Sequence, residues 1–525
     1  ASSDPACRLT YARLPDRAPR RKMNEPASRL RVSSSRIRRP ISRFAPVLHV
    51  FGLVILIFSF TMLVPLVTAL VGHDSAQFAF DESFAVTLVA GFALWLGARR
   101  WRRELKVRDG FLLVMLVWTG LPAFATLPFL IHTPAMGFTD AYFETMSGLT
   151  TTGATVMSGL DTLPPSLNLW RHLLNWLGGM GIIVLAVAIL PLLGVGGRQL
   201  LKAELPGPIK DTKLTPRIAD TAKLLWATYA ALTVACALAL KWAGMSWFDA
   251  VCHAFAALSL GGFSTHDASV GYFDSPLIEA VLIVFMLLAA LNFVTHLLAF
   301  RQKSLAAYRH DPEVRGVLGV VIASCLGISL YVWQAGVYPE FLTALRHVSF
   351  NLVSLATDCG FVSTDYNTWP IFAPMWMLLL SCITASSGST GGGLKMIRGV
   401  LMFRQGVREL EHQLHPAARL PVKIGGHAVP NQIVFAIQAF VMMYIATIVT
   451  MTLVLLASGL DFVSAFSAVI ACINNAGPGL NAVGPGTNYT GLSDFQTWVL
   501  AFTMLLGRLE LFTVFVLFTR AFWRG

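Results

Sequence analysis

Four short stretches of this 525-residue chain place small and polar residues around one glycine. They are "FETMSGLTTTGAT" at Gly153, "CHAFAALSLGGFST" at Gly262, "FNLVSLATDCGFVS" at Gly360 and "SAVIACINNAGPGL" at Gly477. Aligned on those glycines, the residue six before is small in each (Ser147, Ala256, Ser354, Ala471) and the residue three before is polar (Thr150, Ser259, Thr357, Asn474). Glycine adopts φ/ψ values that a Cβ forbids, so the chain around it can aim its carbonyl groups unusually. Carbonyl oxygens gathered around an axis can replace the hydration shell of a monovalent cation, and a helix ending there adds its negative pole. The chemistry on offer is coordination rather than catalysis. One Thr-Thr-Gly alone reads as a helix break or turn; four in register point to the lining of one cation pore.

A second stretch, "ITASSGSTGGGLKM" at 383–396, resembles a phosphate loop only superficially. That motif needs Lys and then Ser/Thr directly after the last glycine, whereas Leu394 separates Gly393 from Lys395. Each glycine costs ~1 kcal/mol against alanine in a helix, so Gly388, Gly391, Gly392 and Gly393 oppose a continuous span. A fixed kink needs only one of them. The segment is expected to be an intramembrane gate that includes Ser389, Thr390 and Lys395, with its freed backbone groups solvated by a water-filled cavity. Arg508 lies in the last apolar run, where an uncompensated charge costs ~2.5–3.5 kcal/mol. It is expected to face the pore as a second element of the same constriction, Glu510 being the alternative partner. His412 and His415 read as a solvated face. A hydrolase would need HExxH, a Ser/His set or a G-x-S-x-G elbow, and none is present, so an enzyme is not expected.

The elements that must carry these residues follow from composition. The chain is 55% hydrophobic and 13% charged, with a mean hydropathy of +0.63, against about 25% charged in soluble domains. Apolar runs able to cross a core of ~30 Å with roughly 20 helical residues recur at 47–72, 84–98, 110–131, 173–197, 224–245, 277–300, 317–333, 370–403, 433–458 and 497–518. Basic loops follow even-numbered spans, which puts them and both termini in the cytoplasm by the positive-inside rule. The four glycines lie 109, 98 and 117 residues apart with two spans in each interval, so all face the same side. The repeats are therefore parallel, unlike the inverted repeats of many transporters. The expected fold is an all-α polytopic membrane protein: four parallel span, pore-helix, filter, span repeats around a pseudo-fourfold pore, plus two N-terminal spans. The expected divisions are a basic tail at 1–46, two extra spans at 47–108, and pore repeats at 109–213, 214–312, 313–425 (with the loop 383–393) and 426–525. The tail, read as disordered and cytoplasmic, supplies nine of the net +12 charges. That basicity describes a tail, not a nucleic-acid-binding protein; contact with anionic headgroups and plain solvation read alike there. Seven scattered cysteines without a CxxC pair suggest neither a disulfide framework nor a zinc site.

The motifs "SGLTTTGAT", "WLGGMGIIVLAVAILPLLGVGG", "KAELPGPIKD", "GGFSTHDASVGYFDSP", "GSTGGGLKMIR", "NNAGPGL" and "LLGRLELFTVFVLF" resemble, in order, those of the membrane subunit of bacterial Trk-type potassium uptake systems in the Trk/Ktr/HKT superfamily. The resemblance runs from about residue 47 to the C-terminus. It implies potassium uptake across the bacterial inner membrane, with K⁺-binding filter positions at Thr151, Thr152, Gly153, Leu260, Gly261, Gly262, Asp358, Cys359, Gly360, Asn475, Ala476 and Gly477. It also implies a homodimer in the bilayer and a TrkA-like cytoplasmic regulatory subunit that carries the nucleotide, NAD(H) or ATP/ADP, with no cofactor on this chain itself. The loops at 198–223 and 395–423, with Lys202, Lys210 and Lys213, suit that docking. An ion-coupled symporter with H⁺ or Na⁺ shares the same pore. Asp358-Cys359 departs from the small or hydroxyl residues expected in the third filter, which bears on ion selectivity.

Overall fold

In the computed structural model, residues 40–189, 218–418 and 420–524 are described. Two units are distinguished, Ala1–Arg43 and Phe44–Gly525, and the helical body is the second. Its first two spans are α1 (Pro40–Thr61), extended by α2 (Leu63–Gly72), and α3 (Gln77–Ala98). Small residues set how closely they approach: a Cβ on Gly52 would meet the backbone of Trp95 and Gly91, and one on Gly91 would meet Leu56 N and Gly52 O. Backbones in near contact are how helices associate where lipid removes the hydrophobic drive.

Four repeats follow. The first is α4 (Val107–Ala125) with its continuation α5 (Leu127–His132), the short α6 (Phe138–Leu149) and the return helix α7 (Pro165–Ile189). The second is α8 (Ile218–Trp242), α9 (Trp247–Ser259), and α10 (Pro276–Ala290) leading to α11 (Phe293–Gln302). A short α12 (Ala306–His310) connects to the third: α13 (Pro312–Gln334), α14 (Phe341–Ala356), α15 (Phe372–Ser381) and α16 (Met396–Leu414). A two-residue β pair, β1 (Lys423–Ile424) with β2 (His427–Ala428), precedes the fourth. That repeat is α17 (Asn431–Ala457), α18 (Phe462–Asn474), α19 (Asp494–Arg508), α20 (Phe512–Phe515) and a terminal α21 (Arg520–Arg524). Side-chain caps fix where the short helices begin: Ser246 accepts from Asp249 N and Asp461 from Ser464 N.

The body is apolar outside, and its apolar core also encloses polar residues. Ile57, Phe60, Val67, Val71, Phe78 and Val89 are exposed, while Thr145, Ser147, His172, Asn175 and Asn351 are buried completely. A soluble protein does not present such an apolar surface; a bilayer requires it.

By length and composition, six described helices can cross a membrane. The spans expected at 277–300 and 497–518 are not straight: they bend by 99° between α10 and α11 and by 106° after Arg508. The span expected at 370–403 is interrupted between Ser381 and Met396. Return segments of three repeats are thus broken, although only the last of these breaks carries a glycine run. The span expected at 173–197 is described as far as Ile189; the tail at 1–39 and the loop holding Lys202, Lys210 and Lys213 lie outside the described residues. Replacing Gly91 by Leu should force α1 and α3 apart and cost ~1–3 kcal/mol by overpacking, read as a lower melting temperature of the detergent-solubilised protein.

Candidate functional site

The four short helices end in the same kind of turn. A left-handed residue that is not glycine closes each: Leu260 at φ 55° and Asn475 at 59° directly after their helices, Thr151 at 56° and Asp358 at 65° one residue further on, past Thr150 and Thr357. The next N–H then reaches back to the carbonyl six before the glycine, Thr152 to Ser147 at 2.8 Å, Gly261 to Ala256 at 2.9 Å, Cys359 to Ser354 at 2.8 Å and Ala476 to Ala471 at 2.8 Å. Each left-handed residue also donates three residues back, as Thr151 N does to Gly148 O at 3.0 Å and Asp358 N to Leu355 O at 3.0 Å. These are Schellman caps. They account for the polar position of the sequence pattern. The small residue six before the glycine supplies the cap carbonyl, and in the first three repeats the polar residue three before bonds its own helix: Thr150 Oγ1 to Met146 O, Ser259 Oγ to Ala256 O and Thr357 Oγ1 to Val353 O. A left-handed non-glycine residue costs roughly 1–2 kcal/mol, so this turn is strained four times over.

Past the caps the chain runs extended, and the four segments close on one another. A Cβ on Gly153 would fall within 3.0 Å of Gly261 O, one on Gly262 of Cys359 O, one on Gly360 of Ala476 O, and one on Gly477 of Thr152 O. Repeat 1 touches 2, 2 touches 3, 3 touches 4 and 4 touches 1, so the carbonyls of Thr152, Gly261, Cys359 and Ala476 form a closed ring. The four glycines are left-handed as well, at φ 81°, 62°, 92° and 86° in chain order. Asp358 and Cys359 contribute backbone here: the Cys359 thiol points back to Ala256 O at 3.9 Å, and the Asp358 carboxylate lies against Gly391 of the interrupted span. At the ring opens a mouth bordered by Gly153, Gly262, Gly360 and Pro478 from the four repeats.

A buried ion pair supports the mouth. Arg171 Nε donates to Glu144 Oε1 at 2.7 Å, Arg171 Nη1 to Ser264 O at 3.1 Å, and the guanidinium lies 4.3 Å from the Phe263 ring centroid. Glu144 in turn accepts from Thr155 Oγ1 and Val156 N. One pair thereby fixes the extended segments of repeats 1 and 2. At the rim, His266 Nδ1 meets Asp161 Oδ1 at 2.5 Å, and this bond holds the Asp161 carboxyl below its usual 3.8.

Below the ring lies the loop between α15 and α16. Its base is pinched by Leu394 N to Cys382 O at 2.7 Å and Met396 N to Ala385 O at 2.8 Å. Contrary to the expected wet cavity, protein groups meet its backbone. Ser386 N donates to Ala290 O at 3.0 Å, Gly388 O accepts from Phe293 N at 3.2 Å, and Glu313 Oε1 accepts from both Ser387 N and Ile397 N at 3.1 Å. Thr390 Oγ1 donates to Leu258 O at 3.1 Å. Arg508 Nη1 donates to Thr390 O at 2.9 Å and its Nη2 to Gly178 O at 2.6 Å. The loop of repeat 3 is therefore held by the break in repeat 2, the arginine of repeat 4 and, through it, the return helix of repeat 1. A Cβ on Gly392 would overlap Asn474 O, so the glycine run lies directly under the fourth pore helix. Glu510, considered as the partner of Arg508, instead pairs with Arg398 at 2.6 Å.

The model of the TrkH family, described as cation transport protein, matches residues 76–324 and 338–524. The chain belongs to the TrkH family. It is 48% identical over 461 residues to the Trk system potassium uptake protein TrkH of Salmonella typhimurium, covering 88% of this chain and 95% of that protein. It is 38% identical over 462 residues to the Trk system potassium uptake protein TrkG of Escherichia coli K12, again covering 88% and 95%. The crystal structure of the potassium transporter TrkH from Vibrio parahaemolyticus matches with a TM-score of 0.83 at 44% identity, over 92% of this chain and 100% of that one. The all-α polytopic membrane fold expected from the sequence is the TrkH-family fold.

The structure brings all twelve candidate filter residues to the ring and Gly388, Ser389, Thr390, Gly391, Gly392, Gly393, Lys395 and Arg508 to the loop beneath it. Sequence reasoning missed Glu144, Arg171 and Glu313. An arginine at the head of an apolar run, in "LWRHLLNW", is a signal that could have found the second. Breaking a buried ion pair costs about 3–5 kcal/mol, so Arg171→Gln should lower the melting temperature markedly and loosen the mouth. A carboxyl held below its ordinary pKa stabilises the fold above that value and loses this contribution as pH falls through the depressed one. Hydrogen exchange in residues 159–163 should therefore stay slow down to about pH 4 and quicken below it.

Proposed function

We propose that this chain is the potassium-conducting subunit of a Trk-type uptake system, passing K⁺ through the carbonyl ring of Thr152, Gly261, Cys359 and Ala476. The observation that carries this reading is the cyclic contact of each filter glycine with the carbonyl of the next repeat, which gives four oxygens to one axis at the negative ends of four helices. The neighbouring positions Thr151, Leu260, Asp358 and Asn475 supply the turn, and Gly153, Gly262, Gly360 and Gly477 the room. The names of the relatives supply the ion. One carbonyl ring is a shorter selective path than a TVGYG filter, so K⁺ and Rb⁺ pass with less complete rejection of Na⁺.

The loop 383–393 is the gate of this pore and Arg508 its latch, supported by the hydrogen bonds from Arg508 to Thr390 O and Gly178 O. The ring faces outward and the loop inward, with both termini in the cytoplasm of a bacterial inner membrane. The chain works as a homodimer, and a cytoplasmic nucleotide-binding subunit on the basic loops sets the gate. The driving force is the membrane potential, ~2.3 kcal/mol per charge per 100 mV.

Rb⁺ uptake into liposomes holding the purified protein, under an imposed potential and without a Na⁺ or H⁺ gradient, tests conduction; uptake only when such a gradient is added would favour the coupled symporter. Gly262→Ala should cut flux or K⁺/Na⁺ preference, because its Cβ overlaps Cys359 O. Hydrogen bonds to a charged group are worth about 1.5–3 kcal/mol, so Arg508→Ala should raise flux roughly 10- to 100-fold while leaving the K⁺/Na⁺ ratio unchanged. Unchanged flux in Arg508→Ala and in a Gly391–Gly393 deletion would end the gate reading.

A further inference from the structure

Asp358 is the one ionisable residue among the four left-handed cap positions, the others being Thr151, Leu260 and Asn475. Its side chain is completely buried, and neither carboxylate oxygen has a hydrogen-bond partner of normal geometry. The loop packs against it at Gly391, and Tyr444 and Cys382 lie near it from the other elements. A Cβ on Gly391 would lie 3.2 Å from Asp358 Oδ2 and 3.2 Å from Thr357 O, so the carboxylate sits on the loop side of the carbonyl ring. Lys395 closes the far end of the same glycine run. It is buried, left-handed at φ 73°, and donates to Gly391 O. The other charges near Lys395 are engaged elsewhere, Glu510 with Arg398 and Arg508 with the carbonyls of Thr390 and Gly178.

A buried carboxylate without a counter-charge is strongly unfavourable. While the loop is seated, the Lys395 ammonium bonds the carbonyl of Gly391, the same residue the Asp358 carboxylate lies against, and so brings a positive charge to its vicinity. A loop that withdraws takes Lys395 with it, and Asp358 then faces the vacated space directly beneath the ring. The requirement for a cation is unchanged; only its source differs. We propose that Asp358 is a monovalent-cation site held in turn by the Lys395 ammonium when the loop is seated and by the permeating ion when it is withdrawn. Ion occupancy and loop withdrawal then favour each other, since a ligand shifts an equilibrium by its differential affinity for the two states. The inference rests on the reading of the loop as the gate and adds to it what replaces the gate's own charge.

The test uses the full chain in liposomes, with Rb⁺ uptake measured against Rb⁺ concentration for Asp358→Asn, Lys395→Gln and the double variant. Lys395→Gln should raise flux at least tenfold, because the seated loop now covers an unpaired carboxylate. In the Asp358→Asn background the same change should do nothing, since asparagine needs no counter-ion. Asp358→Asn alone should raise the half-saturating Rb⁺ concentration at least tenfold, and Asp358→Glu should restore much of it. Equal effects of Lys395→Gln in both backgrounds, or an unshifted Rb⁺ dependence in Asp358→Asn, would overturn the proposal. A second measurement covers poorly folding variants: in Ser389→Cys protein, Rb⁺ but not choline should speed thiol labelling of the loop, and a rate indifferent to Rb⁺ would also overturn it. If the Gly391–Gly393 deletion leaves flux unchanged, the gate reading itself fails; if it raises flux while the Asp358 and Lys395 effects stay additive, only this inference does.

Discussion

Backbone polar groups freed at membrane depth must find partners inside the protein, because lipid offers none. This chain frees them repeatedly: at four pore-helix ends, at the bend before Phe293, in the loop before Met396 and at the bend after Arg508. The buried charges are arranged around that demand. Arg508 donates to the carbonyls of two different repeats, Arg171 to Ser264 O, Glu313 accepts two amide protons, and Glu144 accepts from Val156 N. Their main service is to stand in for water along a chain that cannot stay helical, and only some of them also form ion pairs.

The same constraint explains why the centre is rigid above and divided below. Above, each Schellman cap satisfies its own carbonyls and leaves the next residues free to close the ring. Below, the loop depends on groups from three other repeats: Ala290 and Leu258 of the second, Arg508 of the fourth, and Gly178 of the first through that arginine.

Legibility in the sequence tracks how much of each feature depends on residue type. The four glycines were legible because left-handed backbone in near contact with a carbonyl tolerates little else, and the polar position before them was legible in the first three repeats because its hydroxyl bonds the helix it ends. Leu260 was not, since leucine is an ordinary helix residue and its left-handed turn comes from the tertiary closure of the ring. The bends in the second and fourth return segments were hidden by hydropathy averaging: Asn292 caps its own helix by accepting from Val294 N at 2.9 Å, with neither glycine nor proline to announce it. At Asp358-Cys359 the ring still receives a backbone carbonyl, that of Cys359, because the thiol reaches back to Ala256 O and the carboxylate lies against Gly391 beneath the ring.

The ring is assembled from one continuous chain, and its quarters are not copies. Thr-Thr, Leu-Gly, Asp-Cys and Asn-Ala precede the four glycines, while the backbone they present is nearly the same. A pore built from four identical subunits can hold any side chain only zero or four times. Here Arg508, the glycine loop and the Asp358 carboxylate each come from a single repeat. The backbone keeps its fourfold arrangement in the ring, and the groups beneath it break that arrangement, Arg508 coming from the fourth repeat and the glycine loop with Asp358 from the third.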